Sequence, residues 1–227
     1  RRPGSAAAAG AAGAPLRRAG PCRVCTARTS VPPPPHVATR RSPLLTPRDG
    51  TQGAAVVGVR SRDAVVLAVE KRAAAKLQDD RTLRKIVKID HHISLAFAGL
   101  NADARSLINK ARIEAQSHRL TVEDDPSVEY MARFIGTTQQ RYTQRGGVRP
   151  FGLAVLLGGV SADGKPQLWS TDPSGIYSAW KANAVGRSSK QLLELLEKQY
   201  KDDCTTDEAV KLAVKTLLEV VESGAKS

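Results

Sequence analysis

Gly50 and Thr51, within "RDGTQGAAVVGVRSRDAVVLAVEKR" (residues 48–72), form the first pair that could do chemistry. Cleavage after Gly50 would free the amine of Thr51. A threonine with a base beside it is one of the activated nucleophiles that hydrolases use. The plainer reading is a Thr in a turn that enters a strand. Cys22 and Cys25 make a single C-x-x-C, with no second pair or His cluster to complete a zinc site. Cys204 stands alone, which suits a reducing compartment. His91 and His92 are adjacent, and two such ligands without a recognisable third make a poor metal site. His118 has no nucleophile or second base in view and reads as a cation-favouring residue at a helix end. "TDPSG", residues 171–175, has the residues of a tight turn in order and lacks the Lys of a phosphate-binding loop. Neither a metal nor a cofactor is expected.

The elements that must position these residues follow from periodicity. "AAVVGVR" and "AVVLAVEK" are short β-branched runs separated by "SRD", a hairpin pattern, and "RKIVKIDHHISLAFAGL" repeats it with "DHH" as the turn. Leu107, Ile108, Ala111 and Ala115 then fall on one face of a helix, with Asn101 as its expected N-cap and Asp103 in its first turn. A second helix spans 126–144: Pro126 suits its first turn, and Val128, Met131, Ala132 and Ile135 form its inner stripe. "RPFGLAVLLGGV" is apolar without alternation, the mark of a strand covered on both faces. "QLWSTD" follows after a turn, and "PSGIYSAWKANAVG" reads as a further short strand pair. Trp169, Tyr177 and Trp180 belong to these strands as core or subunit contacts. Two helices close the chain, with Gly224 as the expected terminal cap. Strands and helix pairs in this alternation predict an α+β fold of stacked sheets between helix layers.

The chain has 227 residues and a net charge of +13. Residues 1–48 hold nine Arg and no acid, whereas the rest holds 26 basic against 22 acidic residues. A nucleic-acid-binding domain concentrates basic charge on its folded surface. Here the charge belongs to the leader, so no nucleic-acid partner is expected. No window reaches the roughly 18 apolar residues of a membrane span, and no membrane role is expected. Residues 1–50 are rich in Arg, Ala, Pro and Gly and cannot bury enough surface to offset ordering. They are read as a disordered leader, either a transit peptide or, the favoured alternative, a misassigned gene start. Residues 51–227 are read as the folded domain.

The words "KLQDDRTLRKI", "AFAGLNADAR", "QSHRLTVED", "RYTQRGGVRPFG", "TDPSGIYSAWKANAVGR" and "LLEVVESG" occur in an order that strongly resembles the proteasome alpha-type subunits. The resemblance spans about residues 53–225. It implies a four-layer αββα sandwich of the N-terminal-nucleophile hydrolase kind, truncated at both ends, because the family's opening helix and its closing strand and helix have no counterpart here. It implies a non-catalytic member of a seven-membered outer ring in the cytoplasm and nucleus. Partners would be other alpha subunits, beta subunits and the C-terminal tails of regulatory ATPases, in the degradation of ubiquitin-tagged proteins.

The same resemblance assigns roles to particular residues. In catalytic relatives an acid holds a lysine beside the nucleophilic Thr, and these positions match Glu70 and Lys85. The nucleophile's own position matches Ala54. Thr51 lies three residues upstream, roughly 10 Å along a strand at about 3.3 Å per residue, and on the opposite face. Hydrogen-bond reach is about 3 Å, so no catalytic residue is expected. The rival is an active threonine hydrolase processed at Gly50–Thr51. Arg187 stands where catalytic relatives carry a Ser. In alpha-type subunits the matching lysine captures the terminal carboxylate of an activator tail. Lys85, with Gly53 allowing close main-chain approach and Leu100 lining the pocket, is therefore the expected tail-binding set.

Overall fold

The computed structural model describes residues 54–71 and 84–225. The leader, Gly50, Thr51 and Gly53 lie outside the described residues. Among the described residues there are eight strands and four helices, in the order β1 (Val56–Arg60), β2 (Val65–Val69), β3 (Ile86–Lys88), β4 (Ile93–Gly99), α1 (Asn101–Val122), α2 (Val128–Gln144), β5 (Leu153–Val160), β6 (Pro166–Thr171), β7 (Tyr177–Trp180), β8 (Ala182–Val185), α3 (Ser189–Gln199) and α4 (Thr206–Ala225). They form two antiparallel sheets, β2-β1-β8 and β3-β4-β5-β6-β7. The mixed helix and sheet content is that of an α+β protein.

Alternation along the strands decides what each face meets. In β4 and β5, Leu95, Phe97, Val155 and Leu157 join the buried helix residues Leu107, Ala111, Met131 and Ile135 in one cluster. The intervening Ala96, Ala98 and Leu156 meet Val56, Leu67 and Val185 of the other sheet. Val57 and Val59 of β1 face Leu192, Leu196, Ala209 and Ala213 of α3 and α4. Each strand at the centre is thus apolar on both sides, which is why its sequence shows no polar alternation. Where the sheets come closest, two glycines make room. A Cβ at Gly58 would lie 2.8 Å from Leu168 Cδ1, and one at Gly158 would lie 2.8 Å from Val65 Cγ1.

The first hairpin forms as expected, with Arg60 opposite Val65 and the Ser61 hydroxyl donating to Ala64 O at 2.9 Å. The two helical stripes are buried as their spacing requires. Four local expectations are corrected. Asn101 is the first helical residue rather than the cap, and Leu100 takes the cap position without a side-chain bond. Pro126 precedes α2, whose cap is Ser127: its Oγ accepts from the Tyr130 N–H at 3.1 Å. "PSGIYSAWKANAVG" does not fold as a strand pair, because β7 pairs with β6 and β8 crosses to β1. Gly224 lies inside α4, which runs to Ala225. At the start of α4 a reciprocal cap forms instead: the Thr205 N–H donates to Glu208 Oε2 at 3.0 Å and Thr205 Oγ1 accepts from the Glu208 N–H.

Ser127→Ala removes the side-chain acceptor at the α2 N-terminus and should cost about 1 kcal/mol. Urea denaturation checks this; a shift no larger than that of an exposed surface substitution would deny Ser127 a capping role.

Candidate functional site

Two hydrogen bonds, one to a backbone carbonyl and one to a side-chain carboxylate, anchor the end of the first hairpin. The Glu70 N–H donates to Ala55 O at 2.9 Å, and the Ala55 N–H donates to Glu70 Oε2 at 3.2 Å. Glu70 is only 8% exposed, so its carboxylate acts in a low-dielectric setting. Ala54, the position matched to a nucleophile, is buried beside Gly186. Gly186 has φ +100°, and a Cβ there would collide with Ala54 O. The chain enters the sheet through a gap closed by backbone, and neither Ala54 nor Ala55 carries a hydroxyl. Arg187, the half-buried residue after this glycine, follows directly.

Lys85 lies just before β3, where its carbonyl accepts from the Phe97 N–H at 3.3 Å. Burial lowers the pKa of its ammonium, while the negative charge of Glu70 pulls the other way. The pairing expected between Glu70 and Lys85 is therefore present as an electrostatic coupling. Lys85 opens onto a cleft of about 320 Å³ between β3, β4 and α1. Val87, Phe97 and Ile108 supply its apolar lining, and Asn101 and Asn109 supply amides. Three further cations line it: Arg84, Arg105 and Arg112. Arg112 is steadied by donating Nε and Nη2 to Lys88 O at 3.1 and 2.9 Å. No acid is among the described lining residues.

The expected tail-binding residues are not all gathered there. Leu100 does not line the cleft. It packs on Gly152 instead, whose added Cβ would stand 3.0 Å from Leu100 Cδ1, and its N–H donates to Gly152 O at 3.1 Å. Gly53 is outside the described residues. The three arginines were not picked out from the sequence. For two of them a signal was present, since Asn101, Arg105, Asn109 and Arg112 recur at spacings of four, four and three, one polar edge of α1.

The turn between β3 and β4 holds a second cluster. Asp90, His91 and His92 bring donor atoms within 4.8 Å of one another, so the expectation that the two histidines lack a third ligand is corrected. That carboxylate is already engaged by a cation. Arg119 Nη2 lies 2.8 Å from Asp90 Oδ2 and 2.7 Å from Asp125 Oδ1, and His91 Nε2 lies 3.0 Å from Asp125 Oδ2. The His92 Nε2–H donates to Pro126 O at 2.8 Å, tying the turn to the α1–α2 connection. His118 stacks on Tyr130 at 4.6 Å and its Nδ1 reaches Asp124 O at 3.4 Å. It is a packing residue of the same connection.

Opposite it, Arg149 grips Asp103 with two bonds of 2.6 Å, and the Gly152 N–H adds a third at 3.2 Å. Burial alone would raise both Asp90 and Asp103. For Asp90 the His91 backbone N–H and the Arg119 charge win, and for Asp103 the Arg149 and Gly152 bonds win, so both fall below the ordinary value of 3.8. Their contribution to stability is complete above that value and is lost as pH falls through the lower folded values. Asp103→Asn should therefore start less stable at neutral pH and lose less on acidification through the range below the ordinary carboxylate value. Urea midpoints across that range check it, and parallel acid limbs would contradict it.

"TDPSG" is a plain turn, as expected: the Gly175 N–H donates to Asp172 O at 2.9 Å. It rests on α2, where a Cβ on Gly136 would lie 2.8 Å from Gly175 O. Trp169 packs on the main core, whereas Tyr177 and Trp180 are exposed on the edge strand β7.

Comparison with known proteins bears on the whole domain. The profile of a family described as "Proteasome subunit" matches residues 51–227. A Dictyostelium discoideum protein named proteasome subunit alpha type-7 is 61% identical over 176 residues, covering 78% of this chain and 70% of the relative. An Arabidopsis thaliana protein named proteasome subunit alpha type-7-B is 60% identical over 177 residues, with 78% and 70% covered. A mouse protein named proteasome subunit alpha type-8 is 57% identical over 178 residues, with 78% and 71% covered.

Proposed function

We propose a function from one premise: the chain belongs to the proteasome subunit family. Its relatives are alpha-type subunits, and it is a proteasome alpha subunit. The finer reading is a non-catalytic, structural member of the outer ring that stacks on a proteolytic ring of beta subunits. It acts there in limiting substrate entry and in docking activators during the degradation of ubiquitin-tagged proteins. Two sheets facing each other between helix pairs support the four-layer αββα sandwich of that family.

One observation carries the non-catalytic reading. The Glu70–Lys85 coupling is kept, while alanine occupies the strand entrance beside Gly186. A weak nucleophile needs both a hydroxyl and an adjacent base, and here a base stands without a hydroxyl at Ala54. Lys85 is then available for another task, as the carboxylate receiver for the tail of a regulatory ATPase. A partly desolvated ammonium and a terminal carboxylate make a charge-assisted pair. The cytoplasm and nucleus are the proposed compartments.

Co-expression with the other ring subunits tests the reading. The expected result is incorporation into a heteromeric ring, seen by native mass spectrometry, with no covalent adduct on this chain after treatment with an epoxyketone. A chain beginning at Thr51 and carrying the adduct would establish the rival, an active threonine hydrolase processed at Gly50–Thr51.

A further inference from the structure

The Lys85 cleft carries more positive charge than one carboxylate can use. Among the described residues, Arg84, Arg105 and Arg112 line it with Lys85, no acid does, and Arg84 and Arg105 have no acidic partner. Resting on the docking reading above, we propose that the cleft selects acidic tails: Lys85 takes the terminal carboxylate, and the three guanidiniums take carboxylate side chains upstream of it.

Spacing and lining favour a peptide over a compact anion. Arg105 and Arg112 are seven residues apart on α1, about 10 Å along the axis at 1.5 Å per residue. That distance equals about three residues of extended chain at 3.3 Å each. Between the cations lie Val87, Phe97 and Ile108, together with the amides of Asn101 and Asn109. An extended peptide offers apolar side chains to the first set and main-chain N–H and C=O groups to the second. A polyphosphate offers neither. Guanidinium forks pair with carboxylates through two parallel hydrogen bonds, so arginine at these three positions adds direction as well as charge.

The test uses the full chain in rings assembled with its co-subunits. The probes are two fluorescent decapeptides with free C-termini, one with Glu at three upstream positions and one with Gln at the same positions. The Glu peptide should bind about tenfold more tightly, with the advantage shrinking as salt rises. Arg84→Ala combined with Arg105→Ala should remove most of that advantage, leaving the share of Arg112, with no comparable loss for the Gln peptide. These side chains are exposed, so folding is not at stake. Arg105→Glu should in turn favour a peptide with Lys at those positions. Equal binding of the Glu and Gln peptides to the unaltered ring overturns the acidic preference, even if Lys85→Ala weakens both and so upholds the docking reading. If neither peptide binds, or Lys85→Ala changes nothing, the docking reading fails and takes this inference with it. Displacement of the Glu peptide by tripolyphosphate at equal concentration also overturns it, in favour of a phosphate ligand.

Discussion

Leu157→Ala should lower the unfolding free energy by about 3 kcal/mol, within the range of about 2–5 for a buried leucine. Leu157 is fully buried in β5, the central strand of the larger sheet, with Leu95 and Trp169 as its cross-strand partners. Its side chain points into the cluster that the sheet shares with α1 and α2. Neighbours on three elements cannot all move inward at once, so truncation leaves a cavity as well as losing transfer energy. Leu120→Ala is the matched control. Leu120 is 83% exposed on α1, and its truncation should stay within about 0.5 kcal/mol. Urea curves give the comparison through their midpoints at unchanged slope. Equal shifts for the two variants would mean that the sheet–helix cluster does not hold this domain together.

Lys85→Ala should weaken binding of an activator tail by about 10- to 100-fold while ring assembly continues. The range follows from roughly 1.5–3 kcal/mol for a hydrogen bond to a charged group, at 1.4 kcal/mol per factor of ten. The loss has a pH signature. Burial lowers the pKa of the Lys85 ammonium and Glu70 opposes that fall. Tail affinity should therefore drop as pH rises through the lowered value. Glu70→Gln removes the opposing charge and should move the drop to lower pH. Fluorescence polarisation with a labelled tail peptide reads both effects. Unchanged affinity in correctly assembled Lys85→Ala rings would remove Lys85 from the docking site.

Much of this architecture was legible from apolar spacing. Leu107, Ala111 and Ala115 on one helix, and Met131 and Ile135 on the next, are where a 3.6-residue period puts them, because one sheet face has to be covered along its length. The unalternating run at 153–159 signalled a strand covered on both sides. What was not legible depends on geometry rather than residue type. Asn101 and Ser127 are both good caps, and only the direction in which the chain arrives decides that Ser127 acts and Asn101 does not. Gly224 looked like a terminator, yet a glycine continues a helix when backbone bonds continue past it. At "YSAWKANAV" local pattern suggested one hairpin, and pairing with distant strands overrode it. The cationic cleft was hidden by the same limit. Arg84 is remote in sequence from Arg105 and Arg112, and only the packing of β3 beside α1 unites them.

The passage from β7 to β8 occupies one residue, Lys181, whose ammonium is 2.7 Å from Asp202 Oδ1. With so little slack, neither sheet can open without dragging on the other, and their amides should exchange with deuterium as a single cooperative unit. The seam is equally intolerant of splicing. A reporter loop grafted at Lys181 would pry the layers apart, while the open turn around Gly164, which has nothing within 4 Å of its missing side chain, gives an engineer a place to insert one.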